Sequence, residues 1–229
     1  MLAGHSSSSQ ASIVEINFGA LTPSPGGCTH ASGDEGLVCA NGQTFAANGS
    51  TFTATGYSNA FTTATALTLK PLTSPPGPPT NSLGESGLGE NQSSTGACTD
   101  VFAPHDCEIG GTASVAVVSS NAPITDVIIG SVQSGESFKF FTGPSVAGLT
   151  QLGGTIVGGS CTAGPAADTC MISGFSALAV GVQSGGSGDV LLIAVSQTAV
   201  PEPASMALLG SALAGFGFIR RRRGHSSRV

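Results

Sequence analysis

The 229-residue chain has no tryptophan, one tyrosine (Tyr57) and a charged fraction of only 9%. Sugar-binding clefts usually recruit aromatic platforms, and most of the eleven phenylalanines fall at core-like strand positions instead. Cations are scarcer still. Of seven lysines and arginines, five follow Val200, so only Lys70 and Lys139 stand against twelve acidic residues in the preceding part. A net charge there of about minus ten excludes phosphate-backbone binding, which depends on neutralising phosphates with cations, and nucleic acid is not an expected partner. Thirty-four glycines with many Ser and Thr make a polar surface without charge, suited to a matrix of sugars and water.

Catalytic patterns are equally sparse. No phosphate loop and no His-Glu-x-x-His occurs. Ser58 and Ser187 sit in partial nucleophile-elbow strings that lack the closing glycine and any following helix pattern, so hairpin turns explain them better. His5 and His225 lie in terminal segments, and neither His30 nor His105 accompanies a base-and-nucleophile pattern. The pairs Asp34 with Glu35 and Asp106 with Glu108 could serve as glycosidase carboxylates or calcium ligands, but acids on loops are usually solvated. The expectation is a non-enzymatic protein with no catalytic residues, no metal site and no cofactor.

Long amphipathic helices are also missing. Between Ser12 and Thr198 the sequence reads as about nine strands, punctuated by Gly, Pro, Asn and Ser. They are Ser12 to Phe18, Thr51 to Gly56, Thr62 to Lys70, Thr112 to Ser119, Ile124 to Ile129, Ser137 to Thr142, Leu149 to Val157, Phe175 to Val182 and Asp189 to Ser196. Spacing near ten residues predicts an all-β, antiparallel two-sheet sandwich or jelly roll over residues 12–198. Residues 71–91 read as a Pro/Gly-rich loop, because Pro71, Pro75, Pro76, Pro78 and Pro79 cannot donate to a ladder and Gly84, Gly87 and Gly89 loosen the chain after them. Residues 1–11 read as a disordered N-terminus or signal-peptide remnant. Met1 to Ser6 has no basic region and no apolar run, so the true start is expected upstream. Thr51, Thr53 and Thr55 alternate and would line one strand face, with Thr62, Thr63 and Thr65 nearby; such a face could meet ice or a polysaccharide, although Thr also fills ordinary exposed strand positions.

Six cysteines fall as three close couples: Cys28 with Cys39, Cys98 with Cys107, and Cys161 with Cys170. An even count reads as a disulfide framework if the chain meets an oxidising compartment, with fifteen connectivities available in principle. The local pairs are favoured, because each brackets a turn-rich loop that a hairpin could close. Zinc is a weaker reading: no Cys-x-x-Cys occurs, and His105 beside Cys107 does not complete a ligand set.

The most informative segment is the last thirty-one residues, 199–229. Val200, Pro201, Glu202 and Pro203 lead into Ala204 to Ile219, all apolar or small, and the run stops at Arg220, Arg221, Arg222 and Arg223. At ~1.5 Å per residue a helix over 204–219 reaches ~24 Å, slightly short of a ~30 Å hydrocarbon core, a gap that a little bilayer thinning closes. The basic end 220–229 stays cytoplasmic by the positive-inside rule and places everything before Val200 across the membrane.

Motif, span and basic end together resemble the PEP-CTERM sorting signal of Gram-negative bacteria. The resemblance implies an exosortase substrate: an exported body held for a time in the inner membrane, then cut near the motif and delivered to the cell surface or an exopolysaccharide matrix. It carries Pro201, Glu202 and Pro203 over as recognition residues. Two prolines fix φ, remove backbone donors and disfavour helix before them, leaving an extended segment for an enzyme to grip. The same tail is also catalogued as the C-terminal domain of some ice-binding proteins, a label that describes the tail and not ice binding. The segment from Leu83 to Val195 loosely resembles the β domains of other exosortase substrates. The expected role is structural or adhesive, with a carbohydrate- or ice-binding module as the alternative and a secreted hydrolase behind it.

Overall fold

The computed structural model describes residues 13–18, 20–21, 27–30, 36–47, 49–58, 61–70, 86–90, 108–186 and 188–198, and Ile13–Thr198 forms one compact unit. The described residues are all-β and antiparallel; their one helical feature is a single 3-10 turn at Val146–Gly148. Sixteen strands appear among them. The early ones are β1 (Ile13–Asn17), β2 (Cys28–His30), β3 (Leu37–Cys39), β4 (Gln43–Ala47), β5 (Ser50–Ser58), β6 (Thr63–Thr65), β7 (Leu67–Lys70) and β8 (Gly87–Glu90). The later ones are β9 (Ile109–Gly110), β10 (Val115–Gly130), β11 (Ser137–Gly143), β12 (Thr150–Gln151), β13 (Ile156–Val157), β14 (Thr162–Ala163), β15 (Cys170–Ser184) and β16 (Asp189–Thr198).

Two long strands organise the rest. β10 and β15 pair along most of their lengths, from Val115 opposite Gln183 to Ile129 opposite Cys170. On its other edge β10 changes partner. Its first half, Val115 to Ser120, pairs with β5 from Tyr57 to Phe52. Its second half, Ile124 to Gly130, pairs with β16 from Gln197 to Leu191. The switch falls between Ser119 and Ile124, where the register slips. The sequence reads two strands here, Thr112 to Ser119 and Ile124 to Ile129, and Pro123 between them has no N–H for a ladder. The chain instead runs through as a bulge, which bends a strand without ending it. Thus in place of two separate ladders, hydrogen bonds run as one network in the order β12-β11-β15-β10-β16-β8-β7-β3-β2, with β5, β4 and β6 branching from the first half of β10.

Side chains secure the bend. Gln197, 1% exposed, donates through Nε2 to Ala122 O at 2.9 Å and to Ser120 Oγ. Ser120 Oγ donates to Thr51 O at 3.1 Å, and Asn121 Oδ1 accepts from Thr51 N at 3.3 Å. These bonds give the Ala122 carbonyl at the bulge a partner and fasten the bend to the edge of β5.

The core lies on both sides of this spine. Phe52, Phe138, Phe140, Leu67, Leu69, Leu88, Ile124, Ile129, Leu191 and Leu192 are fully buried. Phe18 and Phe45 meet edge to face with centroids 5.1 Å apart. Each such side chain contributes roughly 1.5–3 kcal/mol by leaving water. β16 is buried from Val190 to Gln197 without alternation; it is covered on both faces, which explains its continuous Val/Leu/Ile run.

The loop expected over residues 71–91 needs correcting at its end. Residues 71–85 and 91 lie outside the described residues, but Gly87–Glu90 forms β8, inserted between β7 and β16. Glycine is required here, not permissive. A Cβ on Gly87 would meet Leu192 O at 2.8 Å, and its φ is +156°. The glycines that suggested looseness let a strand press against its neighbour.

Phe52→Ala is expected to lower unfolding free energy by about 3–5 kcal/mol, because it opens a cavity in a fully buried site. Leu178→Ala, at a position 39% exposed, should stay within about 0.5 kcal/mol. Urea unfolding with the disulfides intact measures both.

Candidate functional site

The tail that dominates the sequence lies outside the described residues: Val200, Pro201, Glu202, Pro203, the 204–219 run and Arg220 to Arg223. Among the described residues no helix is long and apolar enough to cross a membrane. Within the body, four features carry chemistry.

The first is the disulfide framework. Cys28 and Cys39 are direct partners on β2 and β3, with Cα atoms 4.0 Å apart, and a disulfide joins them. A second joins Cys161 to Cys170, closing the hairpin of β14 and β15 with Cα atoms 5.7 Å apart. Cys98 and Cys107 lie outside the described residues. Each bond spans a short stretch, 11 and 9 residues; each crosslinks a peripheral hairpin, restraining the unfolded chain where little core is available to do so.

The second is the threonine strand. Thr51, Thr53 and Thr55 project from the outward face of β5, while Phe52 and Ala54 between them are buried. Thr53 stands between Thr44 on β4 and Ser119 on β10, making a hydroxyl row across three strands. Thr63 and Thr65 do not extend it. They lie opposite Ser58 and Gly56, which share the face of Phe52 and Ala54. The two threonine groups that the sequence sets side by side therefore sit on opposite faces.

The third is a buried ion pair. Lys70 Nζ donates to Glu108 Oε1 at 3.0 Å, with side chains 3% and 2% exposed. Lys70 ends β7 and Glu108 precedes β9. Asp189, also buried, begins β16 opposite Gly110. Asp189 faces Gly110, two residues after Glu108, and Lys70 faces Gly87, next to the Leu88 that faces Leu192, so all three lie near the first half of β16. Sequence reasoning took Glu108 for a solvated loop acid. A signal existed, since Lys70 is one of two cations before the tail and closes a Leu-Thr-Leu strand.

The fourth is a pair of surface hollows. One, of about 330 Å³, lies at the bend between Pro123, Pro144 and Leu178. The other, of about 380 Å³, lies beside the Cys161–Cys170 bond with Ser134 and Asp168. Neither gathers a nucleophile, base and oxyanion donor.

The remaining candidates are dispersed. Ser58 ends β5 and its hydroxyl approaches Thr63 O at 3.5 Å. His30 lies on β2. His5, Asp34, Glu35, His105, Asp106, Ser187 and His225 lie outside the described residues. Among the described residues no group of three His, Cys, Asp or Glu could hold a metal ion.

Residues 199–223 match the family model of the PEP-CTERM protein-sorting motif. The chain therefore carries that motif, which marks an exported protein targeted to exosortase through a membrane-associated sorting signal. No curated protein and no solved structure matches the chain.

Removing one partner of the Lys70–Glu108 pair leaves the other charged in a dry site. Glu108→Ala is expected to cost about 3–5 kcal/mol. Chemical denaturation of the variant beside the wild type checks the value; a loss within about 0.5 kcal/mol, as at an exposed site, would refute it.

Proposed function

We propose that this is a non-enzymatic cell-surface or exopolysaccharide-matrix protein whose disulfide-braced β body is exported and whose tail is removed by exosortase. On this reading the body is a sandwich whose two layers are continuous through β10 and β15. Residues 204–219 hold it in the inner membrane with the body periplasmic, and the basic end stays in the cytoplasm. The observation that carries the proposal is the sorting motif at 199–223. Two disulfides in the body agree with an oxidising destination, as does a surface made polar by Ser, Thr and Gly rather than by charge.

A second reading, a carbohydrate- or ice-binding module, draws on the hydroxyl row of Thr44, Thr53 and Ser119. The two differ in what the row does: a binder needs it, and a structural protein does not.

Mass spectrometry of the mature protein from its native host should find a C-terminus near Pro203, and Glu202→Ala should leave Val229 in place and the protein in the membrane fraction. An intact Val229 in the wild type opposes processing. Thr44→Glu with Thr53→Glu should leave surface retention unchanged if the body is structural. Loss of binding to purified exopolysaccharide, or of ice shaping, in that variant would favour the binding module.

A further inference from the structure

The body contains two lysines, and it buries one of them completely against Glu108, with a second buried carboxyl, Asp189, opposite Gly110 two residues further on. A surface ion pair would need no such burial, and a buried pair is a weak source of stability, because desolvating two ions offsets most of their attraction. Burial does something else. Desolvation opposes the attraction that keeps the two groups charged, which brings the neutral amine and carboxylic acid within reach of a proton transfer along their hydrogen bond. It also holds nitrogen and carboxyl in contact while excluding water, the conditions under which effective molarities become very large.

We propose that Lys70 and Glu108 form an intramolecular amide bond, made by the folded protein without a co-reactant. Within the 3.0 Å hydrogen bond a proton passes from Nζ to Oε1, leaving a neutral amine and a carboxylic acid. The Nζ lone pair attacks the Glu108 Cδ and a tetrahedral carbon forms. A second proton moves from nitrogen to the hydroxyl, the C–O bond breaks, and water leaves. Ammonium and carboxylate have become one amide and one water, with no change of oxidation state. Asp189, buried and opposite Gly110, two residues after Glu108, is the neighbouring carboxyl assigned to carry the second proton. General acid–base help of this kind is typically worth ~10²–10⁴-fold.

The bond would join residues separated by 38 positions, tying β7 to the segment entering β9 across the Pro/Gly-rich stretch. The two described disulfides close much shorter loops. A crosslink over a longer loop restrains the unfolded chain more, and an amide resists the reductants that open a disulfide.

The test is the intact mass of the purified full-length chain after complete thiol reduction and alkylation. It should fall short of the sequence mass by one water, and fragmentation should recover a branched peptide linking Lys70 to Glu108. Lys70→Met should show no deficit. Asp189→Asn should slow the appearance of the deficit after refolding by about 10²–10⁴-fold. Should Lys70→Met fail to fold, the wild-type mass still decides. A reduced wild type at its full sequence mass overturns the proposal, and so does a branch from Lys70 to Asp189.

Discussion

Everything in the body hangs from the pairing of β10 with β15. These two strands keep each other through the bend while β10 exchanges β5 for β16 on its far edge. That exchange is possible only because a bulge lets one strand change direction without surrendering its other partner. Gln197 holds the half-buried Ala122 carbonyl beside the bend, and Ser120 and Asn121 tie the bend to the exposed backbone of Thr51 on β5. The peripheral hairpins attach to this spine. Two of them, β2 with β3 and β14 with β15, carry disulfides where the hydrophobic contribution is least.

Scarcity of charge shapes the rest. A body with so few ionisable groups has little reason to bury any of them, yet Lys70, Glu108 and Asp189 are all inside. Stability alone is a poor explanation, since an apolar trio of similar volume serves a core as well. Their proximity, in a protein whose sorting motif marks it as exported, gives the burial a use in the proposed covalent reinforcement.

Body and tail divide the work. The tail supplies the address, in a motif of four residues, an apolar run and four arginines, and its meaning is independent of how the body folds. On the reading proposed above, the body supplies durability and a polar outer surface. Its hydroxyl row on β4, β5 and β10 is the most regular part of that surface, and the two hollows in the body lack the convergent groups that chemistry requires.

The sequence alone was enough for the β class, for most of the long strands and for the sorting motif. Those depend on local alternation, on cysteine parity and on the order of proline, apolar and arginine segments, all of which are written along the chain. It was not enough for β8, because the glycines at 87 and 89 read as looseness until Leu192 is seen against Gly87. Nor could it separate Thr51, Thr53 and Thr55 from Thr63 and Thr65, whose faces depend on register with β4, β6 and β10. Glu108 looked like a loop acid because nothing local marks a carboxylate whose partner lies 38 residues away. Periodicity reports which way a side chain points relative to its neighbours in sequence. Which strand stands opposite, and therefore which charges meet, is set by long-range pairing that only the folded chain decides.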